Sequence, residues 1–113
     1  MAADRIDVPR PGPAGSFQAR IEDIYFARDA ARGVDGTLLW FVEEVGELVR
    51  ALRRGERDNL EEEFGDVFAW LVSLASIAKV DLAEVAFGKY GEGCPRCHTT
   101  PCSCPLPHKT LES

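Results

Sequence analysis

The chain has 113 residues, a formal net charge of −6 and a hydrophobic fraction of 45%, which suits one small acidic globular domain and leaves no room for a second. Without clustered Lys and Arg it lacks the footprint of a protein that binds nucleic acid or an anionic membrane. No stretch approaches the ~20 apolar residues of a spanning helix, and the N-terminus lacks the apolar run of a signal peptide, so the expected location is cytoplasmic.

Residues 1–15 (MAADRIDVPRPGPAG) are rich in proline and glycine and carry no periodic apolar pattern, which predicts a flexible N-terminal arm. Ser16 is a candidate N-cap for a first helix to about Arg32. In it Phe17, Ile21, Ile24, Tyr25 and Arg28 recur at helical spacing, and Gly33 suits the stop. A second helix opens at VDGTLLW, with Asp35 or Thr37 as its cap, and runs to about Arg54, where Gly55 supplies a left-handed exit. At ~100° per residue, Leu38, Val45, Leu48 and Leu52 fall within about 60° of Phe41 and define its apolar stripe.

The third predicted helix is capped by Asp58 or Asn59 and continues to about Ala78. Its main stripe is Leu60, Phe64, Val67, Phe68, Leu71 and Ala75, with Glu63, Asp66 and Trp70 on a neighbouring stripe. Asp81 caps a short fourth helix, LAEVAFGKY, and Gly91 and Gly93 release the chain into a cysteine-rich tail over 91–113. Short connections and the absence of period-2 runs predict an all-α antiparallel helical bundle. The wide apolar surface of the third helix predicts completion by homo-oligomerisation.

The carboxylates carry the chemistry. Glu44 and Glu47 are three residues apart, as are Glu63 and Asp66, so each pair projects from one helix face with Cβ atoms about 5–6 Å apart. If the second and third helices are antiparallel neighbours, the pairs converge into a four-carboxylate cage whose members raise one another's pKa values. A divalent cation relieves that repulsion, and hard oxygens without His or Cys favour Mg²⁺ or Mn²⁺. The plain alternative is a solvated acidic face, and Glu61 and Glu62 need no role beyond a charged first turn.

The sequence EEVGE, followed after fifteen residues by EFGD, resembles the EExxE…ExxD pattern of the MazG-like nucleotide pyrophosphohydrolases over about residues 16–90. The resemblance implies a helical bundle assembled as a dimer or tetramer, with Mg²⁺-dependent cleavage of a nucleoside triphosphate to the monophosphate and pyrophosphate. It implies metal ligation by Glu44, Glu47, Glu63 and Asp66. Glu43 matches the leading glutamate, which positions the attacking water, supports the ligands, or simply faces solvent. Lys79 and Lys89 sit at helix ends from which a cation reaches phosphate, although both equally suit exposed helix-terminal lysines. Trp70, and less so Trp40, stands near the acids where an indole stacks on a base. Phe17, Tyr25 and Phe26 are further candidates to wall a base pocket. For all these aromatics the simpler role is core packing.

The tail segment GCPRCHTTPCSCP places Cys94, Cys97, Cys102 and Cys104 within eleven residues. Four thiolates so spaced close a tetrahedral Zn²⁺ site, with His98 or His108 as possible substitutes for one of them. Two disulfides or a redox CxxC are the competing readings, and neither has its usual setting in this chain. The functional alternative to an enzyme is a zinc-stabilised helical interaction module whose acidic face docks a basic partner.

Overall fold

The computed structural model describes residues 12–105. Helix α1 runs Gly12–Arg54, α2 Arg57–Ile77 and α3 Leu82–Tyr90, and no strand occurs among the described residues. α1 is two helical limbs joined at Gly33, whose φ of 82° and ψ of 174° lie outside the helical region and in backbone space that essentially only glycine occupies. The predicted stop at Gly33 is therefore real, although the chain resumes a helix at once. The expected arm lies outside the described residues up to residue 11, whereas residues 12–15 already belong to α1.

Local signals set the other ends. Gly55 exits α1 at φ 71° and donates its N–H to the Ala51 carbonyl at 2.9 Å. The Asp81 side chain accepts the Glu84 N–H at 3.1 Å and caps α3. The start of α2 differs from expectation. Glu56 is its N-cap, without a side-chain cap bond, and Asp58 lies inside the first turn, where its charge complements the helix dipole. Thr37 does not cap the second limb either. It is fully buried and accepts from Arg32 Nη1 at 3.3 Å.

α1 packs along α2, and α3 folds back on α1. The apolar core is small: Ile21, Phe26, Ala51, Val72, Ala75 and Ala83 are its buried members. Between them runs a polar seam from the first limb of α1 to the C-terminal half of α2. Gln18, fully buried, donates to Ser76 Oγ at 3.0 Å and to the Val80 carbonyl at 2.9 Å. Its Oε1 accepts the Leu82 N–H at 3.0 Å. Ser76 in turn donates to Glu22 at 2.6 Å, and Ser73 to Asp29 at 2.6 Å. Buried polar groups are tolerable only when satisfied in this way. The seam also fixes the turn between α2 and α3, because Gln18 holds both Val80 and Leu82.

The face that α2 buries is thus the small, polar one (Val72, Ser73, Ala75 and Ser76). The stripe expected to be its core face is largely uncovered, with Phe64 52%, Phe68 40% and Leu71 38% exposed. Leu38 and Leu52 of the second limb are likewise exposed, as is Leu39. Large apolar side chains prefer burial, but within one chain the hydrogen-bonded seam dictates which faces meet.

Candidate metal centre

The second limb of α1 carries EEVGE and α2 carries EEEFGD, and the rotation of the two helices decides which acids converge. Glu44, Glu63 and Asp66 each present a carboxylate oxygen within 4.8 Å of the other two. Glu63 and Asp66 come together because i,i+3 residues share a helix face, and the packing of α1 on α2 adds Glu44. Glu63 Oε2 is sealed from solvent with no hydrogen-bond partner. A buried acceptor aimed at other acceptors is the state a cation satisfies.

The electrostatics agree with the geometry. Desolvation raises the Glu44 pKa above its ordinary 4.5, and the charges of Asp66, Glu63, Glu47 and Glu43 push it the same way. Glu63 is also raised, by desolvation first and then by Asp66, Glu47 and Glu62. Its side-chain approach to Glu44 opposes this shift without reversing it. Three hard oxygens with no His or Cys among them fit Mg²⁺ or Mn²⁺, and Mg²⁺ ordinarily keeps several waters beside a few carboxylates.

Glu47 stands apart from the trio. Its carboxylate pairs with the Arg50 guanidinium one turn on, so its charge is felt at Glu44 and Glu63 from the rim. Glu43 is exposed, and its charge is felt at Glu44. Glu61 pairs with Arg57 at 3.0 Å on the surface.

Beside the trio lies a cleft of about 270 Å³ whose lining includes Tyr25, Arg28, Asp29, Arg32, Asp66 and Trp70. Asp66 belongs to both the cleft and the acidic group. The Arg32 guanidinium sits 4.9 Å from the centroid of Trp70, which also stacks on Trp40 at 6.0 Å and 15°. Arg32 is oriented at both ends of the α1 break, by Asp29 at 2.9 Å and by Thr37.

The profile of the MazG nucleotide pyrophosphohydrolase domain matches residues 32–98, more than half of the 113-residue chain. The chain belongs to the MazG family. The MazG match opens at Arg32, the residue that spans the break, and takes in the second limb of α1, α2 and α3. It ends at His98, inside the cysteine segment. No match is found among curated proteins. Membership places the chain in the nucleotide pyrophosphohydrolase family, which is typically metal-dependent. No helix among the described residues is long and apolar enough to cross a membrane.

The remaining candidates divide. Tyr25 lines the cleft, whereas Phe26 is core and Phe17 stacks on Phe68 with centroids 4.8 Å apart. Lys89 lines a different cleft, beside the cysteines, and lies over Tyr90 at 5.5 Å. It is not among the residues lining the cleft beside the acids. Lys79 is an exposed residue at φ 62° in the turn after α2. Arg28, Asp29 and Arg32 were not among the expected site residues. The available signal was the recurrence of arginine at i,i+4 on the helix that ends at Gly33, which the apolar spacing obscures. Cys94, Cys97, Cys102 and Cys104 form a second cluster, and His98 does not join it. His108 lies outside the described residues.

Proposed function

We propose that this MazG protein hydrolyses a nucleoside triphosphate to the monophosphate and pyrophosphate, with Mg²⁺ or Mn²⁺ held by Glu44, Glu63 and Asp66. The observation that carries the reading is the sealed Glu63 oxygen, facing two further carboxylates at the edge of a cleft that also holds arginine and indole. A bound cation would neutralise phosphate charge and lower the pKa of a bound water. Arg28 adds positive charge for the polyphosphate, and the part of the Trp70 indole that Arg32 and Trp40 leave uncovered offers a surface for the base. Glu47, outside the trio and held by Arg50, is the carboxylate left to accept the proton of the attacking water, with Glu43 in outer support.

A homodimer or homotetramer completes the reading. The exposed side chains of Leu39, Val42, Leu52 and Phe64 offer more apolar surface than a small monomer ordinarily leaves in water. Its own core, half of it alanine, supplies little burial to offset chain entropy. Light scattering on the eluting protein gives the oligomer mass, and a monomer rejects this part.

The decisive assay incubates the purified protein with a panel of ribo- and deoxyribonucleoside triphosphates, canonical and damaged, with and without Mg²⁺. Equimolar monophosphate and pyrophosphate, appearing only with metal, is the expected result. Release of orthophosphate instead, or no turnover of any nucleotide, rejects the reading.

A further inference from the structure

We infer that residues 94–104 form a closed, structural Zn²⁺ site with four thiolate ligands, separate from the acidic centre. A tetrahedral zinc with Zn–S bonds of ~2.3 Å requires ligand sulfurs about 3.8 Å apart. Cys94 and Cys104 have their sulfurs 3.7 Å apart, and Cys97 and Cys102 theirs 4.0 Å apart. All four sulfurs lie within 4.8 Å of one another, and none of the four is in a disulfide. The sulfurs thus already lie at the spacing that a four-thiolate zinc site needs, which neither two disulfides nor a redox pair demands.

The surrounding backbone is shaped for this. The His98 N–H donates to the Cys94 carbonyl at 2.7 Å, and the Cys94 N–H to the Thr99 carbonyl at 3.0 Å, closing a tight loop around the first two ligands. His98 turns that loop at φ 60°, so its ring is not needed as a ligand. Gly93 takes φ 99°, and a Cβ there would meet the Thr99 carbonyl oxygen at 2.7 Å. The loop therefore closes only with glycine before the first cysteine.

Donors are aimed at the sulfurs as well. Ser103 N–H reaches Cys97 Sγ at 3.3 Å, Cys104 N–H reaches Cys102 Sγ at 3.4 Å, and the Thr99 hydroxyl lies 2.9 Å from Cys97 Sγ. Such outer partners orient thiolate ligands and disperse their charge. A zinc tetrathiolate carries two net negative charges, and Lys89 and Arg96 line the same cleft as Cys94, Cys102 and Cys104, which offsets them. With every coordination position taken by sulfur, the ion has no open position for substrate. Its role is to hold the tail folded against the end of α3.

The full chain, purified under reducing conditions, tests this by metal analysis and by Co²⁺ substitution after chelator treatment. The expected results are one zinc per chain and the intense visible bands of tetrahedral thiolate-bound cobalt, which added zinc abolishes. The double variant Cys97→Ser/Cys102→Ser should lose both, with the far-UV helical signal kept. Glu63→Gln should keep both, because the acidic trio is a different site. Weak octahedral cobalt bands, four freely titrating thiols in zinc-supplemented protein, or undiminished zinc in the double-serine variant would each overturn the assignment.

Discussion

Glu44 on α1 and Glu63 on α2 bring carboxylate oxygens within 4.8 Å of each other across the helix pair, and both are pushed above the ordinary carboxylate pKa of 4.5. The packing that brings them together is stabilised elsewhere, by the Gln18 and Asp29 seam, so the fold can keep two mutually repelling groups in contact. A cation held between them would relieve that repulsion.

The pH response follows from the direction of those shifts. Between 4.5 and the raised folded values, the folded protein binds more protons than the unfolded chain, so the free energy of unfolding falls as pH rises through that interval. In metal-free protein, Glu44→Gln should flatten this fall. Thermal melts from pH 4 to 8 check it, and identical pH slopes for variant and parent refute it. With saturating Mg²⁺ the fall should shrink or reverse, because metal takes the place of the proton.

Removing a carboxylate of the trio separates stability from activity. Glu63→Gln and Asp66→Asn should each lower Mg²⁺-dependent turnover by about 100-fold or more, the scale of several kcal/mol of lost charge stabilisation. Neither should lower the melting temperature of the metal-free protein, because each relieves repulsion. Added Mg²⁺ should stabilise the parent by mass action, ~2.7 kcal/mol at one hundred times the dissociation constant, and the variants much less. A variant that melts lower yet turns over normally would contradict both halves.

Gly33→Ala tests the break in α1. No atom lies within 4 Å of the added methyl, so its cost is backbone strain alone, about 1–3 kcal/mol. Denaturant unfolding should show that loss. Turnover should fall further than the residual stability explains, because Gly33 sets the angle between the Arg28 limb and the Glu44 limb. Unchanged unfolding would mean that the break tolerates a side chain.

Gln18→Leu should be among the most damaging single changes away from the acids. It leaves the Val80 carbonyl and the Leu82 N–H without their partner, at about 1–3 kcal/mol for two part-buried unsatisfied groups. Urea denaturation measures it, with a loss under about 0.5 kcal/mol, the scale of ordinary surface changes, as the contrary outcome.

Trp70→Ala addresses the cleft. Loss of a stacking face is worth about 1–3 kcal/mol per base, so KM should rise roughly tenfold or more with kcat much less affected. A fall in kcat at constant KM would place Trp70 in support of the acids rather than under the base.

The family resemblance and the acid spacing were legible because both are local. Glu63 and Asp66 share a face on any helix, and so do Glu44 and Glu47. What spacing could not say is that Glu47 would turn to Arg50 while Glu44 joined the opposite helix, since that depends on helix rotation and on competition between partners. The arginines of the cleft were missed for a related reason. Arg28 falls at an apolar spacing, and only the packed α2 shows that its neighbours Asp29 and Arg32 face Ser73 and Trp70.

By itself the sequence determined three helix boundaries, at Gly33, Gly55 and Asp81, and which residues could hold hard or soft metal ions. Those are properties of backbone dihedrals, 3.6-residue periodicity and ligand chemistry, which need no distant partner. Only the tertiary structure decided which face of each helix is buried. The hydrophobic pattern pointed to Phe64, Phe68 and Leu71, but within the chain the satisfied polar seam of Gln18, Glu22, Asp29, Ser73 and Ser76 wins the contact, because buried hydrogen bonds require a specific register and apolar surface does not.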